Sequence, residues 1–119
     1  MSCAIAGIYN ITCDQGATLQ RSITWSDSAR NPYNLTGYTA RMQVRSIVTS
    51  PTIIIELTTE NGRISLGTGE WNVNLTISSA ATTALTPGMY VYDLEIVSGS
   101  GVVTRLIEGN FKVKAEVTR

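Results

Sequence analysis

A chain of 119 residues is long enough to bury one core and too short for two domains. With 43% hydrophobic and 15% charged residues it is globular rather than disordered. Nine basic residues balance nine acidic ones, so no global field draws nucleic acid or an anionic membrane.

No stretch approaches the roughly 20 apolar residues of a membrane-spanning helix. Met1 to Ile11 is apolar, but it lacks the basic start of a secretory signal, so the expectation is a chain made in the cytoplasm. The two cysteines, Cys3 and Cys13, are expected to be free thiols, because a bridge between them would tie only an N-terminal arm. Residues 1–13 read as that arm or as an edge strand, with Ile5, Ile8, Tyr9 and Ile11 as its apolar positions. Residues 14–119 read as the folded domain.

After the Asp14-Gln15-Gly16 turn, Leu19, Arg21, Ile23 and Trp25 share one face of a strand. Arg21 on that face requires a partner or a place at the domain's edge. Ser26 to Gly37 is rich in turn residues. From Tyr38 to Arg45 the alternation is strict: Tyr38, Ala40, Met42 and Val44 fall on one side, Thr39, Arg41, Gln43 and Arg45 on the other. That is the pattern of a strand with one wet face, and the spacing predicts it near the centre of the fold.

Thr52 to Thr58 sets Ile53, Ile55 and Leu57 against Ile54 and Glu56, which suggests a strand covered on both faces or an edge that a partner covers. Asn61-Gly62 is a tight-turn signal, followed by a short strand over Arg63 to Leu66. Trp71, Val73, Leu75 and Ile77 alternate with polar residues, which places Trp71, like Trp25, in the core. Ser78 to Leu85 is the one helical stretch, with Ser79 as its cap and Pro87-Gly88 as its stop, a short crossover near 79–86. Tyr90, Tyr92, Leu94 and Ile96 form another inward face, Ser98 to Gly101 a hairpin, and Phe111, Val113, Ala115 and Val117 a last one. Eight or nine short strands with regular turn signals predict an all-β fold, a single antiparallel sandwich or barrel, here read as a sandwich.

Reactive groups do not assemble in this sequence. Histidine is absent, which removes Ser-His-Asp and Cys-His catalysis and the usual zinc patterns. Asp93 and Glu95 project from one face of a strand and are expected to pair with Arg41 and Arg45 rather than to act across a cleft. The glycines sit at turns, outside any phosphate-binding context. Asp14, Asp27, Asn31, Glu60 and Asn61 are scattered loop oxygens without calcium-loop spacing. Arg105, Lys112, Lys114 and Arg119 are too interleaved with apolar residues for a nucleic-acid stripe. No enzyme activity, cofactor, metal, nucleic acid or membrane partner is expected.

Several elements occur in an order that carries more than strand grammar. Asp14-Gln15-Gly16-Ala17-Thr18 precedes the first core strand, and Asn34-Leu35-Thr36-Gly37-Tyr38-Thr39-Ala40 leads into Met42-Gln43-Val44-Arg45. Asn61-Gly62-Arg63-Ile64 follows, then Thr83-Ala84-Leu85 running into Pro87-Gly88-Met89-Tyr90 and Tyr92-Asp93-Leu94-Glu95, and finally Glu108-Gly109-Asn110-Phe111-Lys112-Val113. In this order they resemble a set of small phage and prophage proteins similar to the immunoglobulin-like N-terminal domain of phage upper baseplate proteins. The resemblance implies an immunoglobulin-like sandwich in a bacteriophage virion, made in the host cytoplasm. In the baseplate proteins further chain with the receptor-binding apparatus follows, whereas this sequence ends at Arg119. The expectation is therefore an accessory subunit on tail, baseplate, collar or head surface, the last as a capsid decoration protein. Its partners would be other virion proteins, in many symmetric copies or as a homo-oligomer. The arm and one sheet edge are expected to dock, with Ile5, Ile8, Tyr9, Ile11, Arg41 and Arg45 as interface candidates. A second class is a carbohydrate- or host-surface-binding module, for which Tyr9, Tyr33 and Tyr38 are the loop and arm aromatics.

Overall fold

The computed structural model describes residues 7–26, 29, 31–69 and 71–117. Among these, nine strands and one helix follow one another: β1 (Gly7–Ile8), β2 (Ile11–Asp14), β3 (Leu19–Ile23), β4 (Thr39–Arg45), β5 (Ile55–Thr58), β6 (Ile64–Leu66), β7 (Val73–Ile77), α1 (Ser79–Thr83), β8 (Gly88–Val97) and β9 (Val103–Lys114). One sheet has the order β1-β9-β8-β4-β5, with β2 also on β9, and the other has the order β3-β7-β6. The order β9-β8-β4-β5 facing β3-β7-β6 is that of an immunoglobulin-like sandwich. Tyr90 strengthens the match: its hydroxyl donates to the Thr86 carbonyl at 2.6 Å at the entry to β8, the hydrogen bond of a tyrosine corner.

Alternation builds the core. Met42, Val44, Leu57, Leu94 and Phe111 point inward from the larger sheet and meet Leu19, Ile64, Val73, Leu75 and Ile77 of the smaller one. Each such side chain contributes about 1.5–3 kcal/mol by leaving water. Leu35 and Leu85 come from loops and seal the space between the sheets.

Several expectations are corrected. The sandwich is not wholly antiparallel, because β1 and β2 run parallel to β9. The strand over Tyr38 to Arg45 lies next to the sheet edge, and β8 occupies the middle. Asn61-Gly62 does not close a hairpin. It carries the chain from β5 in one sheet to β6 in the other, because a turn signal fixes local direction and says nothing of pairing. The helix is capped one residue early, with the Ser78 hydroxyl accepting from the Ala81 amide at 3.2 Å. Trp71 is 58% exposed because β7 begins only at Val73, and Ala115 and Val117 are exposed because β9 ends at Lys114. Of the three consecutive isoleucines, Ile55 is buried in the core, Ile54 packs against it and Ile53 is 39% exposed.

The docking of residues 7–14 requires a particular neighbour. A Cβ on Gly109 would sit 2.6 Å from the Tyr9 carbonyl oxygen and 2.8 Å from Asn10 Oδ1. The first contact is with backbone, so it cannot be relieved by a rotamer change. Gly109→Ala is therefore expected to destabilise the fold by about 1–3 kcal/mol, the usual cost of an overpacked site. Amide exchange should show the loss first at residues 9–13, and an unaltered melting temperature with full protection there would contradict this account. Tyr90→Phe should cost about 1 kcal/mol, the net worth of one hydrogen bond, read from denaturant unfolding.

Candidate functional site

The outward face of the larger sheet carries most of the charged side chains expected to matter. Arg41 lies opposite Glu95 across β4 and β8, and its Nε donates to Glu95 Oε1 at 2.9 Å. Arg45 is used differently. Its Nη1 donates to the Ser50 carbonyl at 2.6 Å and its Nη2 to Gln43 Oε1 at 2.7 Å, while Gln43 Nε2 reaches Glu56 Oε2 at 2.9 Å. Arg45 thus holds the loop over 46–54 in place, and that loop exposes Ile47 and Val48.

A register shift completes the face. The pairing runs Leu94 with Ile107 but Glu95 with Arg105, leaving Leu106 as the extra residue of a bulge. Residues 105 and 108 would point to opposite sides of a regular strand. The bulge brings both outward, and Arg105 lies 3.6 Å from both Asp93 and Glu108. These pairs are half-exposed, so each is worth only about 0.2–1 kcal/mol. Burial raises the Asp93 carboxyl above the ordinary aspartate range. Glu95 and Glu108 add to that rise, and the Arg105 and Arg45 guanidinium groups oppose it.

Beside this cluster lies a hollow of about 380 Å³, lined among others by Ile8, Arg45, Val48, Asp93, Arg105 and Asn110. Two of its walls are strongly exposed hydrophobics, Ile8 at 71% and Val48 at 83%. β1 enters this site because the Tyr9 amide donates to the Glu108 carbonyl and Asn10 Oδ1 accepts from the Asn110 amide, both at 3.0 Å.

The candidates named from sequence are therefore divided. Ile8 and Arg45 come together at the hollow, and Arg41 lies further along the same face in its pair with Glu95. Tyr9 packs against the core, and its carbonyl accepts from the Tyr92 hydroxyl. Ile11 is corrected: it is 1% exposed, because the arm is a strand of the same domain and this residue completes the core. Ile5 lies outside the described residues. Val48, Arg105 and Glu108 were missed. The apolar pair Ile47-Val48 in a segment that breaks alternation was the one available signal, whereas the bulge leaves none.

The edge strand β5 is not open to strand addition along its length. The Glu56 carbonyl accepts from Asn61 Nδ2 and Arg63 Nη1, and the Thr58 amide donates to Asn61 Oδ1, each at 3.0 Å. Asn61 is thus a turn and edge-capping residue. Among the described residues, His, Cys, Asp and Glu form no group of three that could hold a metal ion. Cys13 is a buried free thiol, held above its ordinary pKa by burial and by Asp14. Among the described residues no helix is long and apolar enough to cross a membrane.

The Asp93 shift fixes the sign of a pH effect. Its pKa is raised on folding, so its charged form costs stability, and that cost is relieved as pH falls through the folded pKa toward the unfolded value of about 3.9. In Asp93→Asn the group does not titrate. The melting temperature of the unsubstituted chain relative to Asp93→Asn should therefore rise as pH is lowered from 7 to 4, and a falling difference would contradict the sign.

No protein-family model matches the chain, and no curated protein matches it. Among solved structures, the chain is similar to CopC from Methylosinus trichosporium OB3b, with 12% identity and a TM-score of 0.43 over 98% of this chain and 90% of that one. It is also similar to a chain from a study of multimeric cell-adhesive interactions of VGSC beta subunits, with 12% identity and a TM-score of 0.46 over 99% of both chains. At this distance, what those proteins bind or join remains a property of those proteins.

Proposed function

We propose that this chain is a non-enzymatic structural subunit of a bacteriophage virion that docks on neighbouring particle proteins through the outward face of its larger sheet. The ordered motifs from Asp14 to Val113 that resemble phage baseplate domains support the setting. The observation that carries the docking is the hollow flanked by Ile8 and Val48 beside the paired charges of Arg105, Asp93 and Glu108. Exposed apolar side chains beside charged and polar groups form the kind of mixed surface that protein interfaces bury. One such contact is weak, but a particle repeats it many times, and repetition converts weak docking into stable attachment. Tail, baseplate, collar and head surface all offer that repetition. On the head the same contact would make the chain a decoration protein.

The test uses purified particles of the phage that encodes the chain. Mass spectrometry should find it at many copies per virion, and gold label on a C-terminal tag should mark either the shell or the tail. Ile8→Asp with Val48→Asp should leave the melting temperature within a few degrees and remove the chain from particles, since both side chains are exposed in the isolated domain. Absence of the unsubstituted chain from virions would refute the structural role. Undiminished incorporation of the double variant would refute this docking face.

A further inference from the structure

The turn between β5 and β6 holds a reactive pair. Of the asparagines in the sequence, Asn61 alone is followed by glycine. Asparagine is a thermally labile residue, because the backbone nitrogen that follows it can attack its side-chain carbon. In that reaction the Gly62 nitrogen gives up its proton to solvent and bonds to Asn61 Cγ, while Nδ2 takes up a proton and leaves as ammonia. Water then opens the five-membered imide at either carbonyl, which leaves aspartate or isoaspartate at position 61. Glycine hinders the attack least, since it has no Cβ and tolerates many backbone angles. Gly62 stands at φ 80°, and nothing lies within 4 Å of where its Cβ would be. Asn61 and Gly62 are both exposed, so burial does not protect the pair.

Hydrogen bonds restrain it instead. Asn61 Oδ1 accepts from the amides of Thr58 and Arg63, and Nδ2 donates to the Glu56 carbonyl, each at 3.0 Å. The Asn61 amide donates to Thr58 Oγ1 at 2.9 Å, and the Gly62 amide to the Thr59 carbonyl at 3.4 Å. Nucleophile and leaving group are thus both engaged outside the reacting pair. Closing the imide requires the Gly62 proton to leave the Thr59 carbonyl and Nδ2 to leave the Glu56 carbonyl. Glu56 and Thr58 are themselves held in register on β4, opposite Gln43 and Arg41.

From this geometry we propose that Asn61-Gly62 is a deamidation site which the folded turn restrains, and whose conversion uncaps the edge strand β5. The product has no Nδ2 donor. The Glu56 carbonyl keeps its bond from Arg63 Nη1 at 3.0 Å, but it meets a carboxylate where an amide donated before. Isoaspartate also lengthens the main chain by one carbon atom in the connection between the sheets, which displaces the acceptor of the Thr58 amide. An edge closed by side chains becomes one open to strand pairing. The reaction consumes only water and lies away from the docking hollow, so the proposal does not depend on the virion role.

The purified chain is incubated in mildly alkaline buffer at body temperature, folded and in concentrated urea. Conversion at position 61 is read by peptide mass spectrometry, with isoaspartate identified by its specific methyltransferase. The folded rate should be at least about tenfold below the rate in urea, because conversion passes through local opening of several hydrogen bonds. Thr58→Val removes the hydroxyl that accepts from the Asn61 amide. It should raise the folded rate at least about threefold and leave the rate in urea unaltered, the effect of one lost hydrogen bond. Melting temperatures establish that the variant remains folded. The converted chain, separated by anion exchange, should exchange the Thr58 amide at least about tenfold faster while Leu94 in β8 keeps its protection. Equal rates in the folded and urea-unfolded chain, or a folded rate unmoved by Thr58→Val, would overturn the restraint. Unaltered protection of Thr58 in the converted chain would overturn the uncapping.

Discussion

The pairing of β8 with β9 is the constraint on which the rest of this structure depends. It spans the whole of β8, and β9 then serves as the template on which the N-terminal strands are laid in parallel. Gly109 must lack a side chain so that Tyr9 can approach, and Phe111 and Val113 face the core from the register that β8 imposes. The bulge at Leu106 is the one place where that register slips. Its consequence is to turn Arg105 outward beside Asp93 and Glu108.

The two sheets are held without a disulfide between them. Tyr92 occupies the position two residues after the tyrosine-corner residue, where antibody domains place a bridging cysteine. Its ring meets Phe111 edge-on at 6.5 Å and its hydroxyl donates to the Tyr9 carbonyl, contacts that tie β8 to β9 and to the N-terminal strands within the larger sheet, so the two sheets are joined by core packing. Polar side chains clamp the open sides of the sandwich. Arg21 reaches the Thr12 carbonyl at 3.0 Å, which satisfies its position on a mainly apolar face. Gln15 donates to the Leu85 carbonyl at 2.9 Å and accepts from the Glu116 amide at 3.1 Å, joining three separate segments. Among the described residues no buried side-chain polar atom lacks a partner, as a core of this kind requires.

Much of the fold was legible because period-two alternation survives wherever a strand has one buried face. The stretches around Met42, Leu75 and Leu94 read correctly for this reason. What could not be read is whatever depends on partners distant in sequence. Asn61-Gly62 looks like a hairpin turn until β5 and β6 are seen in different sheets. Trp71 continues the alternation of β7, yet it lies beyond the strand's end, where alternation has no further meaning. Ile11 does belong to a docking arm, but the partner is β9 of its own chain. The candidate face was half legible: Ile8, Arg41 and Arg45 were identifiable by type and position, whereas Arg105 and Glu108 share a face only through the bulge. The contact of Tyr33 with Trp25 was least legible, because it is fixed by Asn72, a residue that sequence gives no reason to single out.

The surfaces left to a partner follow from how the edges are closed. An exposed strand edge is the simplest docking device for a sandwich, and it is also an aggregation hazard. Here β5 has its Glu56 carbonyl and Thr58 amide occupied by Asn61 and Arg63, and β9 is covered by β1 and β2. The groups presented to a neighbour are thereby mainly side chains rather than open backbone. The sheet face offers apolar projections among ion pairs, suited to a flat protein neighbour.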